Sequence, residues 1–338
     1  GQRRRDEAWL DNLYKGLAHR FVTIASRYRG GLIKLGQVAS LRVDVIPDSM
    51  TAELVRLQDR VPPHPFEEIE HQIRTAFGKG SDELFALIDK DPVASASLGQ
   101  VHLATLRDGR RVAVKVQRPN LKAIYDKDVA LLRTIFKALD RFKVSVGVDQ
   151  AWGAIFDDAA DLLYREIDYR CEAAHAREFA ENFRDAPWVT TPEIFDDLST
   201  EHVLTMAYVP GVSLKDVAAI EADPSLDAKS LARNLARCYL LQFCRHGFFN
   251  TDPHAGNLAA DAAIPKGRLI VYDFGQAARL DENERAGALM LLEALLDEDD
   301  GVVLPSKDLG EGNASSAAAA SNMRRKKGHG CQRSSAGS

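Results

Sequence analysis

Trp9, Leu13, Leu17, Phe21, Ile24 and Tyr28 place apolar side chains every three or four residues, with Arg and Asp between them. That spacing predicts an amphipathic helix over Asp6–Arg29, closed by Gly30-Gly31. A second helix, Ser49–Arg60, is bracketed by Pro47 and Pro62-Pro63, and a third, Pro65–Phe77, runs into Gly78. The period then switches to alternation. Leu98–Leu106 and Arg111–Val116 flank the turn Arg107-Asp108-Gly109-Arg110, which predicts a β-hairpin with glycine where a positive φ is cheap. Helical spacing returns over Leu121–Phe142 and Ala151–Phe183. His202–Tyr208 reads as a strand before the Pro210-Gly211 turn, Ala228–His246 as a helix, and Leu269–Tyr272 as a short apolar strand. One more helix, Glu282–Leu296, precedes a stretch from Gly301 onward rich in Ala, Ser, Gly and Asn. That stretch carries the basic cluster Arg324-Arg325-Lys326-Lys327 and little to bury, so disorder is the expectation there.

Composition narrows the function classes. A chain of 338 residues holds one two-lobed domain or two small ones, and 45% hydrophobic with 28% charged residues is ordinary for a globular protein. A net charge of -5 argues against a nucleic-acid binder driven by bulk positive charge. Cys171, Cys238, Cys244 and Cys331 form no CxxC pair and have no matching histidine set, so they read as thiols, not as a zinc site or disulfide frame. No run of 18 apolar residues offers a membrane-spanning helix.

Four pieces occur in the order that phosphoryl transfer needs. Val112-Ala113-Val114-Lys115 is a strand ending in a lysine suited to the α/β-phosphates of ATP. Glu166, Asp168 and Glu172 follow on the helical stretch Ala151–Phe183, with Asp168 and Glu172 four apart and so on one face. Asn250-Thr-Asp252-Pro-His-Ala-Gly-Asn257 sets an aspartate five residues before an asparagine, the spacing of a kinase catalytic loop. Tyr272-Asp273-Phe274-Gly275 then supplies an aspartate for Mg²⁺ after an apolar strand. Singly, each has an ordinary explanation: a strand flanked by lysine, a solvated helix face, a Pro/Gly turn, a chance tripeptide. In this order they predict an ATP- and Mg²⁺-using enzyme, with Asp252 and Lys115 catalytic and Asn257 and Asp273 on metal. Two features depart from ordinary kinases. The nucleotide loop reads Ala94-Ser95-Ala96-Ser97-Leu98-Gly99-Gln100 where glycines would leave the backbone freer. Asn250-Thr251-Asp252 stands in place of His-Arg-Asp.

Those departures form a pattern with Lys34-Leu-Gly36-Gln37, Gln117-Arg118-Pro119 and Glu166-Ile-Asp168-Tyr. The sequence resembles the UbiB family of atypical kinases, also called the ADCK family, whose members support coenzyme Q and other prenyl-lipid pathways. Its wording is closest to plastid members of plants and algae. The resemblance implies an α+β, bilobal protein-kinase-like fold: an N-terminal helical extension over 1–80 with the KxGQ motif, a kinase-like N-lobe over 81–210, an incomplete helical C-lobe over 211–300, and a disordered tail over 301–338.

It also implies that Lys115 pairs with Glu172, which joins Asp252 and Lys115 in the catalytic set, that Ala94–Gln100 covers the nucleotide between the lobes, and that ATP and Mg²⁺ are the cofactors. Lys34, Gly36 and Gln37 would work with Glu166 and Asp168 as a regulatory set across the cleft. The implied partners are the nucleotide, a lipid or quinone-precursor ligand and a membrane surface touched peripherally, with no nucleic acid. For the helix Asp6–Arg29, packing on the lobes is preferred over membrane contact. The implied location is the chloroplast, with the mitochondrion as alternative. Only one helix follows Asp273-Phe-Gly, so a truncated C-lobe with uncovered apolar surface is expected, at a cost of roughly 25 cal/mol per Å². The function expected is an atypical kinase or ATPase supporting quinone or prenyl-lipid metabolism. The alternative is a catalytically weak pseudokinase scaffold of a lipid-biosynthesis complex; an ordinary Ser/Thr kinase is disfavoured by KxGQ.

Overall fold

The computed structural model describes residue 12 and residues 14–24, 48–54, 63–96, 98–141, 152–252 and 254–296. Lys34, Gly36, Gln37 and Ser97, together with the stretch 301–338, therefore lie outside the described residues. The chain divides into two compact units: Gly1–Ala173 with Glu193–Tyr208, and Ala174–Pro192 with Val209–Ser338.

In the first unit, residues 14–24 are helical, followed by α1 (Asp48–Leu54), α2 (Phe66–Phe77) and the single turn α3 (Ser81–Leu84). Five antiparallel strands come next: β1 (Leu87–Ile88), β2 (Ala94–Ser95), β3 (Gly99–Thr105), β4 (Arg111–Gln117) and, after β5 (Val189–Thr190) of the second unit, β6 (Val203–Ala207). Their order is β1-β3-β4-β6, with β2 also on β3. Alternation drives this sheet. Val112, Val114 and Val116 of β4 point to one face and meet Ile69 and Ile73, which stand four apart on α2. The turn between β3 and β4 forms as expected, with Gly109 at φ 89°. Helix α4 (Leu121–Arg141) packs on α5 (Trp152–Glu166) through Leu121, Tyr125 and Val129 against Phe156, Ala160 and Leu163, all at helical spacing.

The expected single helical stretch Ala151–Phe183 is two helices, α5 and α6 (Tyr169–Asn182), broken at Ile167-Asp168. Distant groups enforce the break. The Gln117 carboxamide donates to the Ile167 carbonyl at 2.6 Å, and the Tyr169 N–H donates to the Glu201 carbonyl at 3.1 Å, so neither group serves a continuous helix ladder. Asp168 accepts the Arg170 N–H on its own carboxylate at 3.0 Å, a local bond that competes with helix. Asp168 and Glu172 thus do not share a helix face, which corrects the sequence expectation.

The second unit holds more strand than its sequence pattern suggests. Its four-stranded sheet has the order β5-β10-β9-β7, from β7 (Val212–Ser213), β9 (Leu258–Asp261) and β10 (Arg268–Val271), and only the β5–β10 pair is parallel. A two-stranded ribbon joins β8 (Phe248–Asn250) to β11 (Ala277–Arg279). Among the described residues its helices are the 174–182 part of α6, α7 (Val217–Ala222), α8 (Ala228–Leu240) and α9 (Glu282–Leu296). The Asp227 carboxylate caps α8 by accepting the Ser230 N–H at 2.6 Å. The expected helix Ala228–His246 changes character at its end, where Leu241–His246 winds as a π turn before β8.

Candidate active site

Lys115 faces away from the valine core, because it alternates with Val114 and Val116 along β4. Its ammonium donates to both carboxylate oxygens of Glu172, each at 2.8 Å. The Glu172 side chain is 4% exposed and that of Lys115 19%. The Tyr169 ring lies 5.1 Å from the ammonium, adding a cation–π contact. A buried ion pair with this geometry fixes the direction of the lysine but costs desolvation to assemble.

The alanine-rich segment is a hairpin. Ala94 and Ser95 pair with Val101 and Gln100, and the Ala96 N–H donates to the Gly99 carbonyl at 2.9 Å. Arg118, next in sequence after β4, holds the hairpin by donating to the Ala96 carbonyl at 2.8 Å and to Ser95 Oγ at 3.2 Å. Leu98 closes it, its carbonyl accepting the Arg118 N–H at 2.9 Å. Gln100 is 1% exposed, and its carboxamide is used inside the fold, between His64 and His102. Burial pushes the His102 imidazole below its ordinary range, which favours the neutral ring that bridges Gln100 and the Asp89 carbonyl.

Gly99 serves by close approach. A Cβ there would lie 2.4 Å from the Val116 carbonyl oxygen and 2.5 Å from Tyr169 Oη. Gly99→Ala is therefore expected to force β3 from β4 and to lower stability by about 1–3 kcal/mol, the range of overpacked cores. Urea denaturation of the full chain checks this, and an unchanged midpoint would contradict it.

Asp168 and Glu166 stand at the break between α5 and α6, and Arg170 binds the Asp168 carboxylate at 2.8 Å and Glu201 at 2.9 Å. This carboxylate is thus already paired with a guanidinium.

In the second unit, the two motif loops are tied to each other. The Tyr272 N–H donates to the Asn257 carbonyl at 3.0 Å, and the Thr251 N–H donates to the Gln276 carbonyl at 3.1 Å. Asp252 and Asn257 meet side by side, with Asn257 Nδ2 3.5 Å from Asp252 Oδ2, which leaves Asn257 Oδ1 directed elsewhere. The Asp273 carboxylate accepts the Gly275 N–H at 2.8 Å, and Phe274 is buried against Phe179. His175 of α6 contacts the Phe274 carbonyl at 3.0 Å. Asn250, buried at 4% exposure, donates from Nδ2 to the Asp273 carbonyl at 2.7 Å and accepts the Asp252 N–H at 2.8 Å. Asn250, Gln242, His175 and Arg118 carry no role in the sequence reading. The only signal for Asn250 was its place two residues before Asp252, and for Arg118 its place in Gln117-Arg118-Pro119, just past the strand lysine.

Burial pushes the Tyr239 phenol up to about 12, with Cys238 and Asp252 adding to the shift, and the Cys238 thiol also up to about 12. Both stay protonated at neutral pH, so Cys238 is a packing residue and not a nucleophile. Among the described residues no cluster of three or more His, Cys, Asp or Glu side chains offers a closed metal cage. The donor set of Asp273 carboxylate and Asn257 carboxamide oxygen instead fits Mg²⁺, a hard cation held by few protein oxygens when phosphates supply the rest. None of the described helices is long and apolar enough to cross a membrane.

The family profile described as "ABC1 atypical kinase-like domain" matches residues 56–305. "Protein ACTIVITY OF BC1 COMPLEX KINASE 8, chloroplastic" of Arabidopsis thaliana is 40% identical over 288 residues, covering 82% of this chain and 38% of that protein. "Probable protein kinase UbiB" of Marinobacter nauticus is 34% identical over 255 residues, covering 75% of this chain and 46% of that protein. This chain thus spans less than half the length of these curated relatives. Among solved structures, Rv3197 of Mycobacterium tuberculosis, in complex with erythromycin, matches with a TM-score of 0.57 and 25% identity over 95% of this chain and 81% of that one. The profile alone covers well over half of the sequence, and the fold is kinase-like with mixed helix and sheet. The chain belongs to the ABC1 atypical kinase-like family.

Proposed function

We propose that this chain binds MgATP and uses it, by phosphoryl transfer or hydrolysis, in quinone or prenyl-lipid metabolism of the chloroplast. The observation that carries this reading is the joining of the 250–257 loop to the 273–276 segment. Bonds from Thr251, Tyr272 and Asn250 hold Asp252, Asn257 and Asp273 in one place. Lys115, aimed by Glu172, binds the α/β-phosphates, and the hairpin Ala94–Gln100 covers them. Asp252 orients or accepts the proton of the attacking hydroxyl. Asp273 and Asn257 hold Mg²⁺, which when bound neutralises charge on the phosphate oxygens. Glu166 and Asp168, with the Lys34–Gln37 motif, regulate access to the site.

The test is Mg²⁺-dependent ADP release by the purified full chain, with and without detergent-dispersed quinone precursors. Turnover stimulated by the precursors is expected. A cooperatively melting protein that neither binds nor turns over nucleotide would defeat the reading. A second reading, a nucleotide-binding scaffold with weak turnover, draws on one observation. Arg118 pins the alanine-rich hairpin at Ser95 and Ala96, where a glycine loop would move.

A further inference from the structure

Asn250 and Gln242 are the two buried polar side chains among the described residues of the second unit; the Gln242 side chain accepts the main-chain N–H of Asn250, and the Asn250 side chain bonds to both motif loops. The orientation of each carboxamide is fixed by its partners. A carbonyl only accepts and an amide N–H only donates, so Asn250 Nδ2 faces the Asp273 carbonyl (2.7 Å) and its Oδ1 faces the Asp252 N–H (2.8 Å). In the same way Gln242 Oε1 accepts the Asn250 N–H (2.9 Å), which turns Gln242 Nε2 toward Cys238 Sγ (3.4 Å). Gln242 reaches this place from the π turn Leu241–His246, a winding common at functional sites.

We propose that Asn250, anchored by Gln242, is a positioning residue that sets Asp252 and Asp273 in register with each other. This rests on the reading above that Asp252 and Asp273 serve phosphoryl chemistry, although the clamp itself is independent of nucleotide. One carboxamide, acting as donor to one loop and acceptor to the other, ties the two segments into one unit. The second bond on each side then forms without further ordering: Gly275 N–H to Asp273 Oδ1, and Thr251 N–H to the Gln276 carbonyl. Low dielectric strengthens these bonds and makes an unmatched group there costly, so the arrangement holds only with both arms satisfied.

The two arms are separable by substitution. Asn250→Asp keeps an oxygen for the Asp252 N–H and removes the donor to the Asp273 carbonyl. Asn250→Ala removes both. Asn250→His restores a ring N–H donor. Gln242→Met keeps chain length and apolar burial while removing the acceptor for the Asn250 N–H.

The experiment is amide hydrogen exchange of the nucleotide-free full chain. Asn250→Ala should speed exchange about tenfold in both 251–257 and 273–276, the scale of one lost hydrogen bond, with Leu258–Asp261 and Arg268–Val271 within about twofold of wild type. Asn250→Asp should speed 273–276 alone, and Asn250→His should return that segment to near the wild-type rate. Gln242→Met should loosen both segments by about threefold, and it serves if an Asn250 variant does not fold. Wild-type rates at both loops in Asn250→Ala, or faster exchange spread evenly over the unit, overturn the proposal. MgADP is then added to the wild-type chain. Slower exchange at 273–276 supports the nucleotide reading, and no change sinks that reading while leaving the clamp to be judged on the nucleotide-free data.

Discussion

Lys115→Met is expected to lower the stability of the full chain by about 3 kcal/mol, at the lower end for breaking a buried ion pair. The lower end applies because the lysine keeps 19% side-chain exposure, while Glu172 keeps only 4%. Methionine preserves the length of the side chain and its packing on Tyr169, so the loss reports on charge: the Glu172 carboxylate stays buried without its ammonium. For a unit of this size the fall corresponds to roughly 6–12 °C in melting temperature. Adding Glu172→Gln should recover a large part of it, since a neutral carboxamide needs no counter-charge, and the double-mutant cycle measures the coupling. A Lys115→Met chain melting within about 2 °C of wild type would show that the pair does not bear on folding. Nucleotide affinity, read separately by titration with a fluorescent ATP analogue, is expected to fall at least about tenfold if Lys115 binds phosphate.

Asp273→Asn is the substitution expected to have the largest effect on turnover, a loss on the order of a thousandfold, or about 4 kcal/mol of transition-state stabilisation. The change removes one negative charge and keeps shape, so the Gly275 N–H still finds an oxygen at the position of Asp273 Oδ1. Melting temperature should therefore stay close to wild type, and ADP release is the readout. The same variant divides the two functional readings. An enzyme loses the ability to complement a null strain when Asp273 becomes Asn. A scaffold retains it, and complementation by Asp273→Asn at equal protein level would reject catalysis as the role.

How much of this was legible in the residues varies from element to element. The hairpin β3–β4 was, because alternating valines and a glycine at the turn are local signals, and its register follows from the turn. The lysine strand and the two motif loops were legible for the same reason, since their spacings lie within one strand or one loop, whereas the acid set Glu166, Asp168 and Glu172 straddles the break between α5 and α6. The pairing of β5 with β10 was not, since it joins Val189–Thr190 to Leu269–Ile270 across about eighty residues of chain with only two residues of strand on one side. Asn250 was visible as an oddity before Asp252, yet its partners on the Asp273 side are 23 residues away.

The sequence by itself determined the amphipathic helices, the β3–β4 hairpin and the β6 strand of the first unit, the lysine strand and the order of the motif loops, because each depends on periodicity or on neighbours in the chain. The tertiary structure alone decided where Ala151–Phe183 breaks; it also brought Glu172 to Lys115, a pairing implied beforehand only by the family resemblance. It also decided how Asn250 joins two loops. Helix and break are close in local propensity at Ile167-Asp168, and the balance is tipped by Gln117, fifty residues earlier, taking the Ile167 carbonyl. A buried polar group takes whichever partner the fold brings to it, and no local pattern encodes that partner.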